Sequence, residues 1–144
     1  MYLDSAYIAK YYLNEPDAET VRDAIHRARS LVSSEWSVVE VGYAFHRHFR
    51  QGALSELQYR ELLHAFRKHI EDGPWDLVPL DGRLIRRVST VMDSLPSHLF
   101  LRSGDIVQLI SAQEAGEQEI WTSDKHMLAA ASHFGLTARS ATVY

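Results

Sequence analysis

Apolar residues along the chain recur at two different spacings, and the change from one to the other marks where short strands give way to helices. Tyr2 and Leu3 are consecutive apolar residues that stop at Asp4, after which Ile8, Tyr11 and Tyr12 fall on one side of a helix. This opening reads as strand, acidic residue, helix. After the turn NEPD, Pro16 stands near the start of a second amphipathic helix carrying Val21, Ala24, Ile25 and Ala28. SLVSS is a second short strand. From Ser37 to about Phe49 the apolar residues Val38, Val41, Phe45 and Phe49 recur at helical steps, ended by Gln51-Gly52.

Ser55 opens a capping-box-like start, and Leu62, Leu63, Phe66 and Ile70 mark the buried stripe of a helix that stops at EDGP. WDLVPL is a third strand. Asp81 begins a helix with Leu84, Ile85, Val88, Val91 and Leu95, closed by Pro96. GDIVQLISAQEAG is helical, with Ile106, Leu109 and Ile110 inward and Gly116 as a C-cap. EIWTS is a fourth strand, DKHMLAAASHFG a further helix, and LTARSATVY a terminal strand or tail. Short strands alternating with helices predict an α/β sandwich with a mostly parallel sheet, because parallel neighbours need crossover connections.

Composition adjusts this picture in three ways. With 144 residues, 46% of them hydrophobic, the chain has the size and apolar content of one domain, and no repeat or linker divides it, so residues 1–144 read as a single unit. The absence of cysteine excludes disulfides, thiolate zinc sites and cysteine nucleophiles. The formal charge of −4 argues against holding nucleic acid by positive charge over the whole surface. It leaves open whether the Arg and Lys of FHRHFRQG and YRELLHAFRKH form a local basic patch or a solvated helix face. MYLDSAYIAK lacks a basic segment before a long apolar run, and no later stretch approaches the ~20 apolar residues of a membrane helix. Cytoplasm is therefore the expected location, without membrane association.

The chemistry lies in the acids. In an open parallel sheet, ligands bind outside the carboxyl ends of the strands, where residues distant in sequence converge. Asp4 follows the first strand, Asp124 follows EIWTS, and Asp105 begins the helix before that strand. Glu40 lies one turn into the helix after the second strand, flanked by Val39 and Val41, and burying it unpaired is costly. Crowded carboxylates raise one another's pKa unless positive charge intervenes, and hard oxygen ligands favour Mg²⁺ or Mn²⁺ over zinc. The implied chemistry is hydrolysis of a phosphodiester by metal-activated water, leaving a 5′-phosphate and a 3′-hydroxyl. Taken singly, Asp4, Asp105 and Asp124 serve equally well as helix caps, and Glu40 as the exposed edge of an amphipathic helix.

The segments YLDSAYIAKYYLNEP, SSEWSVVEVGYAF, LRSGDIVQLISAQEAG and WTSDKHMLAAASHFGL resemble, in order and spacing, the signature segments of PIN-domain ribonucleases of the VapC toxin type. The resemblance spans nearly the whole chain. It implies a PIN-like three-layer α/β/α sandwich and an acidic metal pocket of Asp4, Glu40, Asp105 and Asp124. It further implies a Mg²⁺- or Mn²⁺-dependent endoribonuclease, a homodimer, and a VapB-like antitoxin whose C-terminal segment covers the pocket. Ala6 and Gln108 depart from the family pattern, which commonly has a hydroxyl or amide and a histidine there. Ser5 is the residue that can supply the hydroxyl missing at Ala6. Gly104 removes bulk from the approach to the pocket. Arg102 is a phosphate contact or a salt-bridge residue, while Thr122 and Lys125 either orient water or RNA or serve only the turn around Asp124.

Other classes have weaker support. His46 and His48 are two apart on a helix and cannot share a face, and HExxH, GxxxxGK[ST] and GxGxxG are all missing. A receiver-like signalling domain would use Asp81 as phosphoacceptor with Lys125, but it calls for paired acids after the first strand, and Asp4 is followed by Ser5. A catalytically silent PIN-like domain that only binds RNA or a partner is the remaining alternative. It is disfavoured by the presence of all four acids.

Overall fold

The computed structural model of the protein describes residues 1–141. Its centre is its shortest strand, β1 (Tyr2–Leu3), held between β2 (Leu31–Ser34) and β4 (Glu119–Trp121). The edges are β3 (Trp75–Val78) and β5 (Thr137–Arg139), giving the all-parallel order β3-β2-β1-β4-β5. Successive strand residues point to opposite faces, so two residues suffice for β1 to serve both cores. Leu3 packs with Tyr7, Val41, Phe45 and Phe66 from α1 (Ser5–Tyr12), α3 (Trp36–Arg50) and α4 (Glu56–Asp72), beside α2 (Ala18–Arg27). Tyr2 packs with Leu84, Leu109, Ile110 and Met127 from α5 (Gly82–Val91), α6 (Ser103–Glu114) and α7 (Lys125–Ala130). This is the three-layer α/β/α sandwich expected.

The chain builds outward from β1 through β2 to β3, then returns to the other side of β1 to lay down β4 and β5. The order therefore reverses between β1 and β4, and their carboxyl ends open the crevice where a doubly wound sheet binds ligands. Register places Leu3 beside Trp121, and the Asp4 N–H donates to the Trp121 carbonyl at 3.1 Å. Asp4 and Thr122 thus emerge side by side.

Three elements differ from the periodicity. The helix after Asp81 ends at Val91 and does not reach Leu95. Pro96 disfavours helical backbone at the residue before it, and the N–H groups of Asp93 and Ser94 close tight turns onto Thr90 and Val91. Leu95 still packs against the core. The helix after Asp124 changes to a 3₁₀ turn over Ala131–Phe134, terminated by Gly135 at φ 69°. LTARSATVY contributes only Thr137–Arg139 as strand, and its residues 142–144 lie outside the described residues. Among the described residues no helix is long and apolar enough to cross a membrane.

Candidate active site

Each of the four acids belongs to a different element, and each is oriented by local backbone chemistry. Asp4 is the N-cap of α1: its Oδ1 accepts from the Tyr7 N–H at 2.9 Å. Asp124 caps α7 in the same way, accepting from the N–H groups of His126 at 2.8 Å and Met127 at 3.1 Å. Asp105, in the first turn of α6, accepts from the Arg102 N–H at 2.8 Å. Glu40 projects from the second turn of α3, where its Oε2 accepts from the Gln108 amide at 2.9 Å. Capping and convergence are therefore compatible. A cap uses one carboxylate oxygen and leaves the other for side-chain partners, Thr122 at Asp4 and Arg102 at Asp124.

Asp4, Glu40, Asp105 and Asp124 all line a single cleft of about 400 Å³ at the carboxyl edge of the sheet. Ser5, Arg102 and Gly104 line it as well. Asp4 is the most buried of the four acids. It is 3% exposed, and its pKa is pushed up to about 7, first by burial and further by the charges of Glu40 and Asp124, against hydrogen bonds from Thr122 and Tyr7. Gly104 is required by this geometry, because a Cβ there would stand 2.7 Å from Glu40 Oε1 and 2.9 Å from the Trp36 indole nitrogen. The Trp36 N–H is buried without a hydrogen-bond partner beside that gap.

Among the described residues, no three acidic or histidine side chains are poised around one point as a ready metal cage. Their oxygens are drawn elsewhere. The Arg102 guanidinium bridges Asp105 at 3.4 Å and Asp124 at 3.0 Å, Gln108 holds Glu40, and Thr122 holds Asp4. The donor set nonetheless suits a hard dication. Four carboxylates share the cleft with only the guanidinium groups of Arg102 and Arg47, and every acidic donor is oxygen.

The supporting residues divide differently from the sequence-based expectation. Thr122 points inward, beneath Asp4. It is fully buried and donates its hydroxyl to Asp4 Oδ2 at 2.5 Å while accepting from the Asp124 N–H at 3.0 Å, so it ties two acids together. Lys125 is exposed and outside the cleft lining. Arg102 adopts the salt-bridge alternative. Glu40 is half-buried and paired, so it carries no uncompensated burial cost. Asp81 caps α5 through the Leu84 N–H at 2.8 Å and is likewise not part of the cleft lining, which does not fit the receiver-type role considered for it with Lys125.

From sequence alone Arg47 is only part of the basic cluster FHRHFRQG and Gln108 only a departure from the family pattern; both line the cleft, as does Trp36. A signal was present: Trp36, Glu40, Tyr43 and Arg47 recur along one face of α3 at helical spacing.

Comparison with known proteins agrees with this architecture. The PIN domain family model matches residues 1–132, and the chain belongs to that family. The crystal structure of Mycobacterium tuberculosis VapC20, described as a sarcin–ricin loop cleaving toxin, superposes with a TM-score of 0.71 at 11% identity, over 90% of this chain and 93% of that one. FitAcB from Neisseria gonorrhoeae superposes with a TM-score of 0.64 at 14% identity, over 95% of this chain and 94% of that one. At such identities the likeness establishes the fold. A search of curated proteins returned no match.

Proposed function

We propose that this protein is a Mg²⁺- or Mn²⁺-dependent endoribonuclease, the toxin of a toxin–antitoxin pair. In this reading it works in the cytoplasm as a homodimer, silenced by a VapB-like antitoxin that covers the cleft. Membership of the PIN family and the fold shared with an RNA-cleaving toxin support it. The observation that carries it is the convergence of four carboxylates from four elements on one cleft, with Asp4 buried deeply enough to resist ionisation unless positive charge is added.

A dication bound there supplies the charge that lowers the pKa of water and offsets the charge developing on the phosphate and leaving oxygen. Asp4 and Asp105 are assigned as its principal holders, with Glu40 and Asp124 completing the acidic wall. Thr122 and the Tyr7 N–H orient Asp4, and Gly104 keeps the approach free of side-chain bulk. In-line hydrolysis leaves a 5′-phosphate and a 3′-hydroxyl. The test is incubation of purified protein with RNA in Mn²⁺ or in EDTA, with mapping of the cut ends. Cleavage that persists in EDTA, or ends bearing a 2′,3′-cyclic phosphate, would sink the assignment.

Arg47 is the cleft cation suited to grip substrate. Arg102 is engaged by two carboxylates, whereas Arg47 makes no ion pair within the described residues and stands one turn from the exposed Tyr43. A guanidinium beside an aromatic face suits a single-stranded RNA segment. Arg47→Ala is expected to raise KM by about tenfold with kcat little changed, and to reduce the dependence of log binding on log salt by about 0.7, one phosphate contact on a single strand. An unchanged salt slope would remove Arg47 from the substrate path.

A further inference from the structure

Gln108 carries more hydrogen bonds than packing requires, and they run in one direction. It is 2% exposed, inside α6, among apolar neighbours such as Leu109 and Ile106. Its Oε1 accepts from the Tyr2 hydroxyl at 2.8 Å, and its Nε2 donates to Ser37 Oγ and to Glu40 Oε2, both at 2.9 Å. Ser37 Oγ lies 2.7 Å from Ser33 Oγ, which donates to the Leu3 carbonyl at 2.7 Å. Tyr2, Ser33 and Ser37 are all fully buried.

The polarity of this chain of bonds follows from its ends. As a carboxylate, Glu40 has only acceptors to offer, so the amide nitrogen of Gln108 must face it and the amide oxygen must face Tyr2. An amide oxygen only accepts, so the Tyr2 hydroxyl, 2.8 Å away, is the donor. Ser33 spends its one proton on the Leu3 carbonyl, which obliges Ser37 to donate to Ser33 and leaves Ser37 free to accept from Gln108. Every donor in this chain of bonds then has an acceptor. The alternative amide orientation would set the Gln108 oxygen against the Glu40 carboxylate.

We propose that Gln108 is a positioning residue, which, locked by Tyr2 and Ser37, holds the Glu40 carboxylate against the cleft wall and links it to the end of the strand that presents Asp4. An amide serves here because its donor does not depend on pH and its two ends differ, so the orientation set at Tyr2 is transmitted to Glu40. The proposal relies on the nuclease reading only for what Glu40 is held to do.

The hydrogen-bond chain itself is tested without metal. In the wild-type protein, the Gln108 side-chain amide protons are expected to exchange with water at least about tenfold more slowly than those of the exposed Gln51 and Gln118. Tyr2→Phe, outside the cleft, should abolish that protection. The consequence for the site is tested by Mn²⁺ titration followed by electron paramagnetic resonance. Gln108→Met, similar in volume but without the amide, is expected to weaken Mn²⁺ binding by roughly 10- to 100-fold. RNA turnover should lose kcat with KM little changed.

Tyr2→Phe should follow the same course more mildly, and serves alone if the methionine variant does not fold. Fast exchange of the Gln108 amide in the wild type, or unchanged Mn²⁺ affinity and kcat in a folded variant, overturns the proposal. Failure of the wild type to bind Mn²⁺ and cut RNA would count against the nuclease reading instead. Slow exchange that Tyr2→Phe removes would still support the locked chain.

Discussion

Asp4→Asn is expected to abolish RNA cleavage and, at pH 8 without metal, to make the protein more heat-stable than the wild type. The two effects have one cause. Asp4 is buried with a folded-state pKa of about 7, against about 3.9 for an aspartate in an unfolded chain. Between these values the folded state keeps a proton that the unfolded state has released. Its stabilising contribution is complete below about pH 4 and is lost as pH rises through about 7. At 1.36 kcal/mol per pKa unit, the loss amounts to about 4 kcal/mol for the metal-free protein at pH 8.

Asparagine does not titrate; its oxygen keeps the Tyr7 N–H, and its NH₂ donates to the Thr122 hydroxyl oxygen, whose proton turns to Met127 Sδ at 3.9 Å. The difference in melting temperature between variant and wild type should therefore reach about 8 °C or more at pH 8 and shrink towards zero only near pH 4. Saturating Mn²⁺ should reverse the order, by stabilising the wild type alone. Turnover should fall by about a thousandfold, equivalent to some 4 kcal/mol of transition-state stabilisation. Calorimetry across pH and a turnover assay check both arms. A variant that melts below the wild type at pH 8, or one that cuts RNA at near wild-type turnover, contradicts this account of Asp4.

Gly104→Ala is expected to cost about a hundredfold in kcat without unfolding the protein. Gly104 lies in the first turn of α6, and alanine in a helix is ordinarily worth up to about 1 kcal/mol over glycine. Here its methyl group would stand 2.7 Å from Glu40 Oε1 and 2.9 Å from the Trp36 indole nitrogen, both closer than real Cβ contacts come. The indole is a rigid ring, whereas the Glu40 carboxylate ends a flexible side chain. Glu40 therefore yields, breaks its bond from Gln108 and leaves the acidic wall. The measurements are circular dichroism, a melting curve and kcat. A well-folded Gly104→Ala protein with wild-type turnover would show that Glu40 has no part in the chemistry.

Taken together, the two substitutions separate charge from shape. The first removes a charge that the fold tolerates only at a cost. The second removes space and leaves every charge in place. A catalytically silent PIN-like scaffold would still show the pH-dependent gain from asparagine, which needs only the burial of Asp4, but would have no RNA turnover for either substitution to remove.

Much of the molecule was legible because it is encoded between near neighbours. Apolar spacing, the caps at Asp4, Ser55, Asp81 and Asp124, and the terminator at Gly116 act within a few residues of themselves, so the alternation of strand and helix could be read directly. Asp4 and Asp124 stand where strands end; Asp105 and Glu40, within helix turns, and the space at Gly104 rested also on the PIN-domain resemblance. The roles of Thr122, Arg102 and Gln108 were decided elsewhere.

Thr122 stands at a turn in sequence, yet it is buried under Asp4 because β4 pairs with β1 in a register that sets Trp121 beside Leu3. Arg102 meets Asp124 only because α6 begins beside the end of β4, and Gln108 meets Tyr2 and Glu40 only where α6 crosses the sheet. Local sequence by itself determined the elements and the kinds of group available. Strand order and helix packing, set by burial of apolar faces between residues distant along the chain, decided which of those groups touch.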